Sequence, residues 1–142
     1  MTHEKSCGTV LYTTDNGAIK YLLIRSPDTG YTGFPKGHVE KGETEIETAL
    51  RETWEETAIT AEIVSGRSWE VSYVINGRIS KNVVYFPAKY DRQTPHCNPG
   101  FEKNEFLLLP FDEAYAALTY DNVKWVLEMA DKFLREELNA GA

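Results

Sequence analysis

The stretch from Gly37 to Ile59, GHVEKGETEIETALRETWEETAI, confines the folding of this chain more than any other. It holds a glycine-bearing turn followed by a helix with two unlike faces. Thr44 followed by Glu47 has the spacing of a capping box, which places the helix start directly after Lys41-Gly42-Glu43. At 100° per residue, Ile46, Ala49, Leu50, Thr53 and Thr57 fall on one stripe, and Glu52, Glu55 and Glu56 on another roughly 120° around. The first stripe is fit to pack; the second carries carboxylates. These glutamates are i, i+3 and i+4 neighbours, and like charges so placed weaken a helix by a few tenths of a kcal/mol per pair, roughly. A cation among them would offset the repulsion. Hard oxygen donors suit Mg²⁺ or Mn²⁺, which keep part of their water shell and lean on substrate phosphates to complete it. A solvated face of a surface helix is the plainer use of such glutamates, but it does not call for Gly37, Glu43 and Arg51 at their fixed spacings.

From Gly37 onward the pattern is G-x5-E-x7-R-E-x2-E-E, which resembles the Nudix box. The resemblance implies that cations are held by Glu52, Glu55, Glu56 and the Gly37 carbonyl, which the missing side chain leaves open to approach. Arg51 is expected to make bidentate hydrogen bonds to a neighbouring glutamate such as Glu43, fixing the rotamers of the ligands. Two positions depart from the family pattern. Ala58 stands where the box has a glycine that ends the helix in a left-handed conformation, which alanine adopts at a cost of about 1 kcal/mol. A different helix exit is therefore expected. Thr53 replaces an aliphatic residue and is expected to turn its methyl to the core.

The length of 142 residues and 42% hydrophobic content fit one domain over residues 1–142 with a real core. The N-terminus has no signal-peptide core, and no stretch approaches the roughly 18 apolar residues of a membrane span. A soluble, cytoplasmic protein with no membrane partner is expected. Cys7 and Cys97 lack metal-ligand spacing and are expected to be reduced thiols, with no zinc. The net charge of −7 argues against a stable nucleic-acid partner, which needs a positive surface to displace counterions. A small polyanion can still enter a cleft where metals and Lys36, Lys41, Arg51, Arg78, Lys81 or Lys103 reverse the field. Oligomeric state has no signature in the sequence.

Strands are expected over Cys7–Thr13 and Ile19–Ile24, around the turn Asp15-Asn16-Gly17. Ser26–Gly37 reads as a loop leading to the box helix. Further strands are expected over Ala61–Val64, Trp69–Ile75 and Asn82–Ala88, with Asn76-Gly77 as a turn. Asp91–Gly100 reads as a loop, Phe106–Leu109 as a short strand, and Asp112–Leu118 as a helix. From Asp121, a candidate N-cap, the residues Val123, Val126, Leu127, Ala130, Phe133, Leu134 and Leu138 trace a helical apolar stripe. The expected fold is α+β, a Nudix-type α/β/α sandwich with a mixed β-sheet.

Outside the box, Phe34-Pro35-Lys36-Gly37-His38-Val39-Glu40 is similar to the corresponding segment of the bis(5′-nucleosyl)-tetraphosphatases, the diadenosine tetraphosphate hydrolases. Cys7-Gly8-Thr9-Val10, Tyr21-Leu22-Leu23-Ile24 and Glu70-Val71-Ser72-Tyr73-Val74 fall in matching order. This resemblance implies a small-molecule nucleotide substrate whose adenine is clamped by Tyr73 and Tyr120; each aromatic platform contributes roughly 1–3 kcal/mol. Lys36, directly before the metal turn, and Lys81 match positions that meet phosphate. Glu102 is implied as an added metal ligand or general base, although Phe101 replaces the histidine the family often has beside it. His38 is expected to be hydrogen-bonded and structural, and His96 exposed. The implied reaction is metal-assisted hydrolysis of a phosphoanhydride, diadenosine tetraphosphate giving ATP and AMP, with Glu52 or Glu102 taking the proton of the attacking water. The alternatives are a pyrophosphohydrolase of nucleoside triphosphates or RNA 5′ ends, and a nucleotide sensor without turnover.

Overall fold

Side chains alternate across a strand, so a long strand buried on both faces can anchor layers of helix on either side. The first strand of this chain does so. The computed structural model describes residues 2–140, in which β1 (Thr2–Asp15), β2 (Ala18–Arg25), β3 (Thr32–Gly33) and β4 (Lys36–His38) precede α1 (Glu45–Thr57). There follow β5 (Glu62–Ile63), β6 (Trp69–Ile75), β7 (Ile79–Lys89), β8 (Glu105–Leu109), α2 (Phe111–Ala117) and α3 (Asp121–Ala140). Strand β7 runs parallel to β1 from Thr2 opposite Ile79 to Tyr12 opposite Lys89. The other edge of β1 is divided between β4, set antiparallel against Ser6–Gly8, and β2, set antiparallel against Tyr12–Asp15. β8 continues outward from β2, β3 pairs the end of β2 on the edge that faces β1, and β5 and β6 share the outer edge of β7.

Val10 and Tyr12 face one side, in a core completed by Val123, Val126, Leu127, Ala130 and Leu134 of α3 and Ala114 of α2. Cys7 faces the other side, with Ala49 of α1, Val84 and Phe86. The α+β sandwich with a mixed sheet is therefore present as expected. β1 begins earlier than the expected Cys7, because Thr2–Lys5 are too polar for an apolar pattern to reveal, yet their backbone pairs with β7. The loop expected over Ser26–Gly37 contains β3 and β4, both too short to show a period. Asp121 is the first residue of α3 and not its cap; the Tyr120 carbonyl accepts from the Val123 and Lys124 N–H groups, each at 3.1 Å. Leu138 leaves the expected stripe and is exposed.

The start of α1 is as expected. Thr44 Oγ1 accepts from the Glu47 N–H at 3.1 Å, and Glu47 Oε1 accepts from the Thr44 N–H at 2.9 Å. Its buried face comprises Thr48, Ala49, Thr53 and Thr57, while Ile46 and Leu50 are covered only in part. Thr53 contributes more than a methyl. Its hydroxyl meets Thr9 Oγ1 at 2.7 Å and donates to the Ala49 carbonyl at 2.8 Å, satisfying a fully buried polar group.

At the other end the expected change of exit does not occur. Ala58 takes the left-handed conformation itself, at φ 63°, and its N–H donates to the Trp54 carbonyl at 2.8 Å. Neighbouring residues require this path: Ile59 is fully buried, the His96 N–H donates to the Thr57 carbonyl at 2.9 Å, and Asn98 Nδ2 donates to that of Trp54 at 2.7 Å. Alanine loses about 1–2 kcal/mol in this conformation, and glycine returns part of that gain through its freer unfolded chain. Ala58→Gly is predicted to stabilise the protein by about 0.5–1 kcal/mol, measured by urea unfolding. An unchanged or lower midpoint would show that the left-handed residue is not strained.

Candidate functional site

Two close approaches bring the box together. Gly8 of β1 lies under Pro35 and Lys36 with no room for a Cβ, so β4 can seat on β1; a Cβ at Gly37 would overlap the Glu52 carboxyl. Glu52 thereby lies directly over the β4 backbone. Arg51 then arranges the acidic face. Its Nε donates to Glu43 Oε2 at 2.6 Å and its Nη2 to Glu43 Oε1 at 3.0 Å, the expected bidentate pair. Nη1 reaches Glu52 Oε1 at 2.8 Å and Glu55 Oε2 at 2.9 Å, and Nη2 reaches the His38 carbonyl at 2.9 Å. Arg51 and the Glu40 N–H hold the Glu43 carboxyl down to about 2.

Glu56 has no such cation. Its Oε1 accepts the Lys36 N–H at 3.3 Å, and burial, followed by the charge of Glu52, pushes its carboxyl up to about 8 against the weaker pull of Lys36. Burial also raises Glu52 in spite of Arg51. Among the described residues, no three His, Cys, Asp or Glu side chains stand close enough to hold a metal ion, because Arg51 draws Glu55 and one oxygen of Glu52 to its own side. The donor chemistry nevertheless fits a divalent cation. Glu52 and Glu56 are hard carboxylates short of positive charge, beside a glycine whose bare Cα admits nothing larger.

Two clefts open on this face. The larger, about 630 Å³, is lined by Tyr73, Tyr120 and Tyr85 together with aliphatic side chains. The smaller, about 380 Å³, holds Glu56, Glu102 and Asn104. Tyr31 and Lys36 line both. An aromatic compartment and an acidic one therefore share a wall that carries an ammonium group. Lys81 stands opposite Tyr73 in the β6–β7 ladder, and after burial its charge is the next cause that lowers Lys36. The two lysines face one region of negative demand.

The structure thus brings Tyr73, Tyr120 and Lys36 to one cleft and Lys36, Glu56 and Glu102 to the other, with Lys81 beside them. Glu55 is turned to Arg51. His38 contributes its carbonyl to Arg51 and has an exposed ring 3.7 Å from Glu4; His96 is exposed. Cys7 and Cys97 are free. Tyr31 and Tyr85 had no place in the sequence reading. Tyr31 lies in a segment with no periodicity to reveal it; its ring is 5.5 Å from that of Tyr120, and burial raises its hydroxyl. Tyr85 was legible in principle, because alternation from Lys81 places it on the same face. Its hydroxyl and that of Ser6 are buried without a hydrogen-bond partner.

The NUDIX domain family matches residues 2–130. Over 140 residues the chain is 31% identical to the asymmetrical bis(5′-nucleosyl)-tetraphosphatase of Rattus norvegicus, covering 92% of this chain and 95% of the relative. The structure of a C. elegans Ap4A hydrolase binary complex superposes with a TM-score of 0.84 at 28% identity, covering 94% of this chain and 98% of the other. An 8-oxo-(d)GTP phosphatase of Mycolicibacterium smegmatis is 33% identical over 109 residues, which span 77% of this chain and 33% of that protein.

The burial of Glu56 has a consequence for pH. A carboxyl raised from the ordinary range to about 8 opposes folding once ionised, so stability is lost as pH climbs from the unfolded value through the folded one. In metal-free protein the unfolding free energy should fall between about pH 5 and pH 8.5, and Glu56→Gln should flatten that fall. Mg²⁺ should flatten it in the parent as well. Chemical unfolding at a series of pH values is the check; an equal slope in parent and variant would remove Glu56 as its source.

Proposed function

The chain belongs to the Nudix hydrolases, and from that premise we propose that it hydrolyses a phosphoanhydride bond of a dinucleoside polyphosphate, splitting diadenosine tetraphosphate into ATP and AMP. The observation that carries this reading is the junction of an aromatic and an acidic cleft at Tyr31 and Lys36. A nucleotide has the same two parts in the same order. In this reading Tyr73 and Tyr120 hold the base, since every base offers a π-face to an aromatic ring. Lys36 and Lys81 meet the phosphates that follow. Similarity to the rat tetraphosphatase over nearly its whole length supports the substrate.

Nudix hydrolases generally need a divalent metal ion. Here Glu52, Glu55, Glu56, the Gly37 carbonyl and Glu102 would hold Mg²⁺ or Mn²⁺, which when bound polarises phosphate oxygens and acidifies water. Arg51 orients Glu52 and Glu55 for that duty through the bonds described above. In this reading Glu52 or Glu102 takes the proton of the attacking water, and the buried position of Glu52 makes it a stronger acceptor than a solvated glutamate. Among the described residues no helix is long and apolar enough to cross a membrane. Cytoplasmic residence is part of this proposal.

The partial match to an 8-oxo-(d)GTP phosphatase favours one rival, hydrolysis of a nucleoside triphosphate. Chromatography of products separates the two. With diadenosine tetraphosphate and Mg²⁺, ATP and AMP should accumulate while ATP alone turns over slowly. Glu56→Gln should lower kcat by about a hundredfold or more with its melting transition retained. Release of ADP pairs, or faster consumption of ATP than of the dinucleotide, would overturn the substrate; near-normal turnover by the variant would remove Glu56 from the ligand set.

A further inference from the structure

We propose that the side-chain amide of Asn104 is a further phosphate-binding group, which donates a hydrogen bond to a phosphate oxygen in the cleft lined by Glu56 and Glu102. This rests on the nucleotide reading above and adds a contact to it. Asn104 lines that cleft, and its Nδ2 is buried with no hydrogen-bond partner among the described residues. Two carboxylates stand in the same cleft without taking it. Glu56 instead accepts the Lys36 N–H through Oε1 at 3.3 Å, and Glu102 leaves the amide unpaired. A buried N–H without an acceptor opposes folding, so the missing acceptor is expected from whatever enters the cleft.

The backbone fixes where this donor stands. Glu102 and Asn104 are two residues apart just before β8, the spacing that sets side chains on one side of an extended chain, and both line the cleft. Cys97 Sγ donates to the Asn104 carbonyl at 3.4 Å. On the other side of Asn104, Glu105 pairs with Arg25 in the β2–β8 ladder and accepts from Arg25 Nη2 at 3.0 Å. Ile24, beside Arg25 in that ladder, lines the cleft as well. The amide is therefore held in place at its backbone, and the broad χ2 of asparagine lets it turn to an oxygen within the cleft at little cost.

The chemistry of the occupant follows from the donor. The bridging and ionised oxygens of a polyphosphate are acceptors, and Lys36 meets them as a compact charge with freely turning donors. A planar amide adds direction without charge. Being neutral, it binds a phosphate oxygen without competing with cations for Glu56 and Glu102. Asn104 thus acts on the polyphosphate part of the ligand and is indifferent to its base.

The test is calorimetric binding of a methylene-bridged diadenosine tetraphosphate and of inorganic tripolyphosphate in excess Mg²⁺, beside urea unfolding of the ligand-free protein. Asn104→Leu should weaken both ligands about tenfold or more, because a hydrogen bond to a charged oxygen is lost. The same variant should unfold at a higher urea midpoint, because the unpaired buried donor is gone. Asn104→Gln, which keeps the amide, should retain most of the affinity. Unchanged binding by Asn104→Leu overturns the contact, and so does a lowered midpoint, which would make the residue structural. A loss confined to the dinucleotide would put the amide on the nucleoside, and an equal loss of affinity for Mg²⁺ alone would put it on the cation's water shell; either result overturns the proposal. A parent that binds neither ligand overturns both this contact and the nucleotide reading. One that binds both through Asn104 yet splits no diadenosine tetraphosphate would sink the activity proposed above and leave the contact standing.

Discussion

The guanidinium of Arg51 meets Glu43, Glu52, Glu55 and the His38 carbonyl, and the layout of the site follows from that one group. Carboxylates crowded on one helix face repel, and a planar donor with five N–H groups can bind several of them in fixed directions. Arg51 takes Glu43 and Glu55, shares Glu52, and through His38 ties the helix to β4. The closeness of Gly37 to Glu52 depends on that tie. Glu56 is left as the carboxyl that burial and Glu52 hold in need of positive charge. The helix thereby supplies both a self-satisfied cluster and an unsatisfied one, and the second faces the cleft.

That division explains how an acidic chain can receive a polyanion. The net charge of −7 is spread over the surface, but at the junction of the clefts Lys36 and Lys81 stand close enough for the charge of one to depress the other. Metal ions would add to this local reversal of the field. The aromatic cleft beyond Lys36 is almost uncharged, so in the proposed reading base and phosphate would be sorted by environment before any specific hydrogen bond forms. Two buried hydroxyls, on Ser6 and Tyr85, remain without partners on this side of the sheet.

Much of this was legible because helices write their faces at fixed intervals. Thr44 and Glu47 mark the start of α1, and the glutamate spacing marks its acidic face. The strands Ala18–Arg25 and Trp69–Ile75 showed in their β-branched and aromatic content and in the turns that bound them. What escaped was set by tertiary context. Thr53 is acceptable in the core because Thr9 supplies a partner 44 residues away. Ala58 keeps a glycine's conformation because Ile59, His96 and Asn98 fix the path. Tyr31 sits in a segment without periodicity, and only the fold sets it beside Tyr120. Spacing on a helix does not tell how a carboxyl is oriented, and that of Glu55 is held by Nη1 of Arg51.

The most direct measurement for the joined-cleft account is a crystal structure of the protein with Mg²⁺ and a methylene-bridged diadenosine tetraphosphate. The account predicts one adenine against Tyr73 and Tyr120, phosphate oxygens on Lys36, and a cation on Glu52 and Glu56. An adenine bound outside the Tyr73–Tyr120 cleft, or a polyphosphate that does not pass Lys36, would contradict it.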